Sequence, residues 1–274
     1  MKYINWWDTM KKAVCLMLVL CMALSLAACG GSYGLKIVET LVEQEYSLAF
    51  RTGDRAANYV AAAIEELAAE GKVAELSAKW FGDRIIDFRK TPGALEKIGM
   101  PEPRDFIIGL DVNSFPMAYV ANGEYWGFDV QMAMAVCEKL GWNLKMQPIE
   151  KENVYVELSS GNIDCAWGGI ALDEDEVNQG IYYQYGPYVK NDIVIASREG
   201  SIVWNKLMLS GKRMVMCSTP EALAALNTDE KLSKRMGQIT RLAGGTTECF
   251  DYLFSGKCDT ILTDSTAIYY YNCH

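Results

Sequence analysis

The sequence contains one histidine, His274, at its last position. A Ser-His-Asp site, a Cys-His site or a histidine-bound metal would have to be built on a frayed terminus, so none of these is expected. Cysteine is present, but no two cysteines form a Cys-x-x-Cys pair, and that speaks against a zinc site. Cys137, Cys165, Cys217, Cys249, Cys258 and Cys273 lie mostly among apolar neighbours and read as buried thiols, although an exported chain could pair them as disulfides. A basic surplus is also missing. Net charge is −9 with both signs scattered, which gives no nucleic-acid surface. Ser-Gly-Lys occurs at Ser210 and Ser255 without the upstream glycine of a phosphate loop. No metal and no cofactor are expected, and beyond residue 29 no apolar run is long enough to span a bilayer.

The longest apolar run is at the front. Lys2, Lys11 and Lys12 precede "AVCLMLVLCMALSLAAC", which is short for a span and closes on small residues, as a signal peptide does. Leu26-Ala27-Ala28-Cys29 resembles a bacterial lipobox, in which the cysteine becomes the lipidated first residue. Residues 1–28 are thus read as a lipoprotein signal and Cys29 as the anchor; an ordinary secretion signal is the alternative. The expected location is the outer face of the cell membrane, held by a lipid tether. The remaining chain, from Cys29 to His274, is long enough for one large domain or two modest lobes.

From Phe106 onward, apolar periodicity alternates between strand and helix. Phe106–Leu110 is continuous, as in a strand buried on both faces, and Phe128–Leu140 is apolar at helical spacing up to Gly141. Strands at 144–149 and 163–167 flank a short helix at 153–159. A second round runs through strands at 214–217, 239–243 and 260–263, with helices between them and after the last, and 191–197 bridges the rounds. Crossovers of this kind make parallel sheets. The second sheet then lacks a strand, which "LKIVETL" (35–41) can supply, running parallel to 214–217 and 260–263. "YSLAFR" (46–51) reads as a second bridging strand and Ala56–Phe81 as closing helices.

With these segments in place, the chain resembles the bacterial extracellular solute-binding proteins of polar amino-acid uptake systems. "FIIGLDVNSFPMAY" followed by "GEYWGFDVQMAMAVCEKLG" is similar to their opening. "LSSGNIDCAWGGIALDEDE" and "LFSGKCDTILTDSTAIYYY" resemble segments from each lobe, and "EYSLAFRTGD…GKVAELSAKWFG" their C-terminal end. The resemblance implies an α/β, two-lobed type II periplasmic-binding fold with parallel-rich sheets and two hinge strands. The closing segments stand first here, so the chain reads as circularly permuted, with a fragment of a tandem duplication as the alternative. Lobe 1 is expected over 46–196, comprising closing helices 54–82, a linker 83–103, a core 104–190 and hinge strands 46–51 and 191–197. Lobe 2 is expected over 34–45 and 198–274.

Ligands of open α/β sheets bind beyond the carboxyl ends of strands. Asp111, Trp167, Gly169, Ser218, Thr219 and Asp264 fall there. The resemblance implies that Asp264 accepts a ligand ammonium, although "TDST" is also a helix cap. It implies that Ser218-Thr219 holds a carboxylate on helix N–H groups, although this too reads as a cap. Phe115 and Trp167 could form an aromatic wall or ordinary core, and Asp111 could hold a basic group or a solvated turn. Where relatives carry a carboxylate-clamping arginine, the chain has Glu176, and Gln131 replaces an acid after Gly127-Phe128-Asp129. The implied function is capture of a small amine-bearing ligand by hinge closure and delivery to an ABC-transporter permease by a monomer that is not an enzyme. A dehydratase acting on cyclohexadienyl acids and a receptor for signalling are the alternatives.

Overall fold

The computed structural model describes residues 34–82 and 85–274; the signal segment 1–28 and Cys29 lie outside them. In chain order the strands and helices are β1 (Leu35–Val42), β2 (Glu45–Arg51), α1 (Ala56–Ala69), α2 (Lys72–Phe81), α3 (Ala94–Ile98), β3 (Asp105–Leu110), β4 (Tyr119–Ala121), β5 (Glu124–Trp126), α4 (Phe128–Leu140), β6 (Asn143–Pro148), α5 (Val154–Ser160), β7 (Cys165–Ala166), α6 (Glu174–Asn178), β8 (Tyr182–Lys190), β9 (Ile193–Arg198), β10 (Arg213–Cys217), α7 (Pro220–Asn227), α8 (Glu230–Arg235), β11 (Gln238–Leu242), α9 (Thr246–Phe254), β12 (Thr260–Asp264) and α10 (Ser265–Cys273).

Two five-stranded sheets carry the fold, in the orders β6-β3-β7-β2-β8 and β1-β9-β12-β10-β11. Each has a three-stranded parallel part, β6-β3-β7 or β12-β10-β11, followed by an inner strand antiparallel to it, β2 or β9, and an outer strand, β8 or β1, antiparallel to that one. The interior strands β3, β7, β10 and β12 are largely buried, as strands covered on both sides require, while the outer parallel strands β6 and β11 are half-buried to exposed. In the second sheet alternate residues feed different cores. Val194, Ala196, Val215 and Ile261 join Phe250 and Ile268 on one face, while Ile195, Met214, Met216 and Leu262 join Leu226 and Leu232 on the other.

Helices α1 and α2 pack on the first sheet. Val60, Ile64, Trp80 and Phe81 share a core with Phe106, Ile108 and Phe128. Phe81 and Phe128 lie 5.5 Å apart, and the Trp80 indole donates to Gln131 Oε1 at 3.0 Å. Gln131 therefore ties α2 to α4. Gly127, at φ +138°, opens α4 where a Cβ would strike the Met117 carbonyl, so the close approach of chain to helix start demands glycine.

Strand β1 joins the second sheet and runs in the direction of β10 and β12, as expected, without pairing with either. It sits at the edge, antiparallel to β9, which is itself antiparallel to β12. The reason is burial: β9 is buried over Ile193–Ser197 and takes the interior place, whereas β1 is mostly half-exposed and suits an edge. Segment 191–197, expected as a hinge strand at the edge of lobe 1, pairs from Ile193 onward with β1 and β12 in the second sheet. The chain crosses between sheets at 43–44 and 191–192, and the crossings are joined by the Asn191 N–H donating to the Gln44 carbonyl at 2.9 Å. The start of β1 meets the end of α10: Asn272 accepts from the Leu35 N–H at 2.7 Å and donates to its carbonyl at 3.0 Å.

Candidate functional site

The carboxyl ends of the parallel strands of both sheets converge on one small cleft. From the first lobe come Asp111, after β3, and Lys151, in a 3-10 turn after β6. From the second come Thr219 and Glu221 at the start of α7 and Asp264 at the end of β12, with Gln44 entering from the first crossing. The enclosed volume is about 50 Å³, room for a few waters. The lobes are therefore drawn together, and an amino-acid-sized ligand enters only if they part.

Charge is concentrated here. Lys151 Nζ lies 3.2 Å from Asp111 Oδ2 within its own lobe and 3.9 Å from Glu221 Oε1 across the cleft. Burial pulls the lysine pKa down, but the charges of Asp264, Asp111 and Glu221 outweigh it and hold the pKa above the ordinary value. Asp264 moves the other way for a carboxylate. Burial raises its pKa, opposed by Lys151 and by the Asn191 amide, and assisted by the like charges of Asp111 and Glu221. With three carboxylates around one ammonium, the cleft is an acidic site that already holds a cation.

The second crossing is wired into this wall. Asn191 Nδ2 donates to Asp264 Oδ1 at 2.8 Å and to the Tyr46 hydroxyl at 2.6 Å. Its Oδ1 accepts from the Thr266 N–H and hydroxyl at 3.2 and 2.7 Å. Asn191 thus fixes the Asp264 carboxylate, the first strand after one crossing and the start of α10 together.

Asp111, Thr219 and Asp264 are thus brought together. Asp264 occupies the N-cap position of α10 without a side-chain capping bond, so its oxygen is given to Asn191 and the cleft. Thr219 Oγ1 caps α7 by accepting from the Ala222 N–H at 3.2 Å, with Pro220 next in the first turn. Asp111 also accepts from the Asn113 N–H and the Ser114 hydroxyl, at 2.9 and 3.0 Å, which fixes its turn.

Five other candidates are placed elsewhere. Ser218 lies outside the cavity wall, its N–H bonded to the Leu242 carbonyl. Phe115 is buried against Tyr270, 4.8 Å away, and Tyr119 at 5.0 Å, so it plugs the lobes together beside the cleft. The Trp167 indole and the Gly169 N–H both donate to Asp129, at 3.2 and 2.8 Å. Gly169 has φ +67° and no space for a Cβ against Ser114, so its turn is folded inward. Glu176 accepts from the Tyr182 hydroxyl at 2.9 Å and does not reach the cavity, because α6 turns its first acids to their own helix end and to β8. Lys151, Glu221, Gln44 and Asn191 were not singled out by sequence. Lysine in a polar turn reads as solvated, and an acid in the first turn of a helix is ordinary dipole complement.

A larger groove of about 810 Å³ runs between α1, segment 85–98 and β8. All its walls belong to the first lobe, and Glu65 and Arg89 inside it are paired with each other, so the interlobe cleft is the better site. Among the described residues all six cysteines are free thiols, with Cys217 Sγ at the cleft wall 3.2 Å from Cys249 Sγ. Among the described residues no group of acids, histidines or cysteines could hold a metal ion, and no helix is long and apolar enough to cross a membrane.

Comparison with known proteins bears on this geometry. The chain is 27% identical over 88 residues to the probable amino-acid-binding protein YxeM of Bacillus subtilis, covering 32% of this chain and 33% of that one. It is 26% identical over 159 residues to the cyclohexadienyl dehydratase of Pseudomonas aeruginosa, covering 55% of each. It thus spans about a third and about half of the length of these relatives. Among solved structures, a polar amino acid ABC uptake transporter substrate-binding protein from Streptococcus thermophilus matches at 26% identity and a TM-score of 0.45, covering 58% of this chain and 61% of that one. Residues 106–244, half of the chain, match the family model itself, and the protein belongs to the bacterial extracellular solute-binding proteins, family 3.

Proposed function

We propose that the protein is an exported, lipid-anchored receptor that captures a small amine-bearing ligand between its lobes and delivers it to the permease of an ABC transporter. The observation that carries the ligand class is the Lys151 ammonium held among Asp111, Glu221 and Asp264. A ligand ammonium finds the same partners on Asp264 and Glu221 when the lobes part and Lys151 stays with Asp111. A cationic or zwitterionic amino acid, or a related amine, suits such a wall. An acidic ligand adds like charge to a cleft whose lining cation is already paired, and unpaired buried charge is costly. The lobes close by hinge motion at the paired crossings, where Asn191 links Gln44 to Asp264.

The order of the chain is a circular permutation of the family order: closing strand and helices first, joined through residues 83–103 to the usual opening. The contact of Leu35 with Asn272, which sets the first strand of this order beside its last helix in the second lobe, supports that reading. The anchor is Cys29, and in a bacterial host Cys29→Ala moves the protein out of the membrane fraction; full retention would overturn the anchor. The dehydratase among the relatives supplies a second reading, but a carboxylate holder is wanted there and Lys151 is committed to Asp111. Calorimetry of the wild-type protein against cationic, neutral and acidic amino acids and simple amines tests the ligand class. Binding confined to amine-bearing ligands without surplus negative charge is expected, and tight binding of glutamate or aspartate would overturn it.

A further inference from the structure

The loop that leaves β9 carries an unusual surface. Within seven residues Ile202 is 71%, Trp204 61%, Leu207 73% and Met208 37% exposed, while Val203 and Leu209 between and beside them are buried. The buried pair anchors the loop and turns the others outward, so their exposure is held by the fold. The loop is also fixed from beneath: Lys36 Nζ donates to the Ser201 carbonyl at 2.9 Å, and Lys206 pairs with Glu39 at 2.6 Å and Asp229 at 2.9 Å. Scattered exposed apolar residues need no explanation, but four large ones so close together mark an interaction surface.

Its place in the fold names the partner. Strand β1 begins at Leu35, in register with Arg198, the last residue of β9. The chain from the N-terminal apolar run therefore enters the second sheet at the end where the 199–209 loop leaves it. Cys29 is six residues before Leu35, a reach of at most about 20 Å even if fully extended. Whatever holds the chain to the membrane before residue 30 therefore holds Leu35, and the start of this loop beside it, close to the bilayer. The composition agrees. Segment 198–213 carries four basic residues against one acid, Glu199; Lys206 is paired with Glu39 and Asp229 and Arg213 with Asp259, and Arg198 and Lys212 are the basic residues beyond these pairs. Tryptophan with aliphatic residues and lysine is the mixture that settles at a membrane–water interface.

We propose that the 199–209 loop is a second membrane contact: Ile202, Trp204, Leu207 and Met208 rest in the headgroup region of the bilayer and, with the tether, fix how the receptor stands on the membrane. This rests on the membrane attachment at the front of the chain. With the second lobe seated on lipid, the first lobe is the one that swings as the cleft opens.

The full chain is reconstituted into vesicles of phosphatidylcholine and phosphatidylglycerol, and Trp204 fluorescence is isolated as the difference between wild type and Trp204→Phe. Replacing the phosphatidylcholine by its brominated form quenches the Trp204 component, and the vesicles shield it from aqueous iodide. In Ile202→Ser/Leu207→Ser, whose replaced side chains are exposed and leave the core intact, at least about tenfold of the vesicle affinity that remains in the Cys29→Ala full chain is lost. Trp204 that stays open to iodide and unquenched by brominated lipid, while the chain pellets with vesicles, overturns the loop contact and leaves the anchor standing. Trp204 quenched by excess vesicles, with the chain washing off them, keeps the loop contact and removes the anchor. Protection from iodide in whole cells without quenching in pure vesicles assigns the surface to a protein partner and counts against the proposal.

Discussion

The two lobes use the same sheet plan but spend their buried carboxylates differently. In the first lobe Asp129 is saturated by the chain itself, taking the Tyr188 hydroxyl at 2.7 Å, the Gly169 N–H at 2.8 Å and the Trp167 indole at 3.2 Å. In the second, Asp264 takes the Asn191 amide and otherwise faces the cleft and Lys151. A carboxylate whose partners are all internal is a fastener. One left with acceptor capacity beside a cation is the receptor in the function proposed here. The turn after β7, with its two glycines, was expected to touch ligand, yet it folds in to serve the fastener.

Substitutions can break that distinction. Asp129→Ala strands three buried donors and is expected to destabilise the protein by about 3–5 kcal/mol, measured by urea unfolding, with the ligand affinity of the folded fraction little changed. A large affinity loss with normal stability would exchange the roles of the two acids. Asn191→Ala removes a hydrogen bond to a charged group, typically about 1.5–3 kcal/mol, so ligand affinity should fall about tenfold or more; an unchanged affinity would detach the crossing from the site.

Acid separates them further. Burial raises the Asp129 pKa to about 7, opposed by its three donors. The native carboxyl then binds its proton more tightly than the unfolded one, so stability rises as pH falls from about 7 toward 3.8, and Asp129→Asn flattens that slope. Asp264 also holds its proton longer than an ordinary carboxylate, but there protonation removes the proposed ammonium acceptor. Amine affinity is therefore expected to decline on acidification before the usual carboxylate range near pH 4 is reached, over a window in which the fold is gaining stability. Parallel titrations of affinity and stability check this, and two curves falling together would contradict it. The smallest expected effect is that of Glu176→Ala, which should change affinity by less than about twofold, because its carboxylate serves Tyr182.

Much of the frame is legible in the residues. Phe106–Leu110, Phe128–Leu140, Met214–Cys217 and Thr260–Thr263 declare themselves by burial period, and β-α-β order then gives parallel sheets. The edge place of β1 is not legible, since which strand a neighbour pairs with depends on the burial of β9, a long-range fact. At the site, Asp111, Thr219 and Asp264 could be found because strand ends converge in such folds. Lys151 and Glu221 could not, because each looks like a solvated charge until the lobes bring them together across the cleft. Trp167 stays open in the sequence for the converse reason: an aromatic at a strand end reads the same whether it meets ligand or, as here, a buried aspartate.

The central claim is that Asp264, in the second lobe, receives the ligand's ammonium. Isothermal titration of the tightest-binding amine into wild type and Asp264→Asn, at neutral pH and with matched stability, tests it most directly. Truncating a buried charged partner typically costs about 2–5 kcal/mol, so the substitution should weaken binding at least tens of fold. Equal affinity in the two proteins would contradict the account.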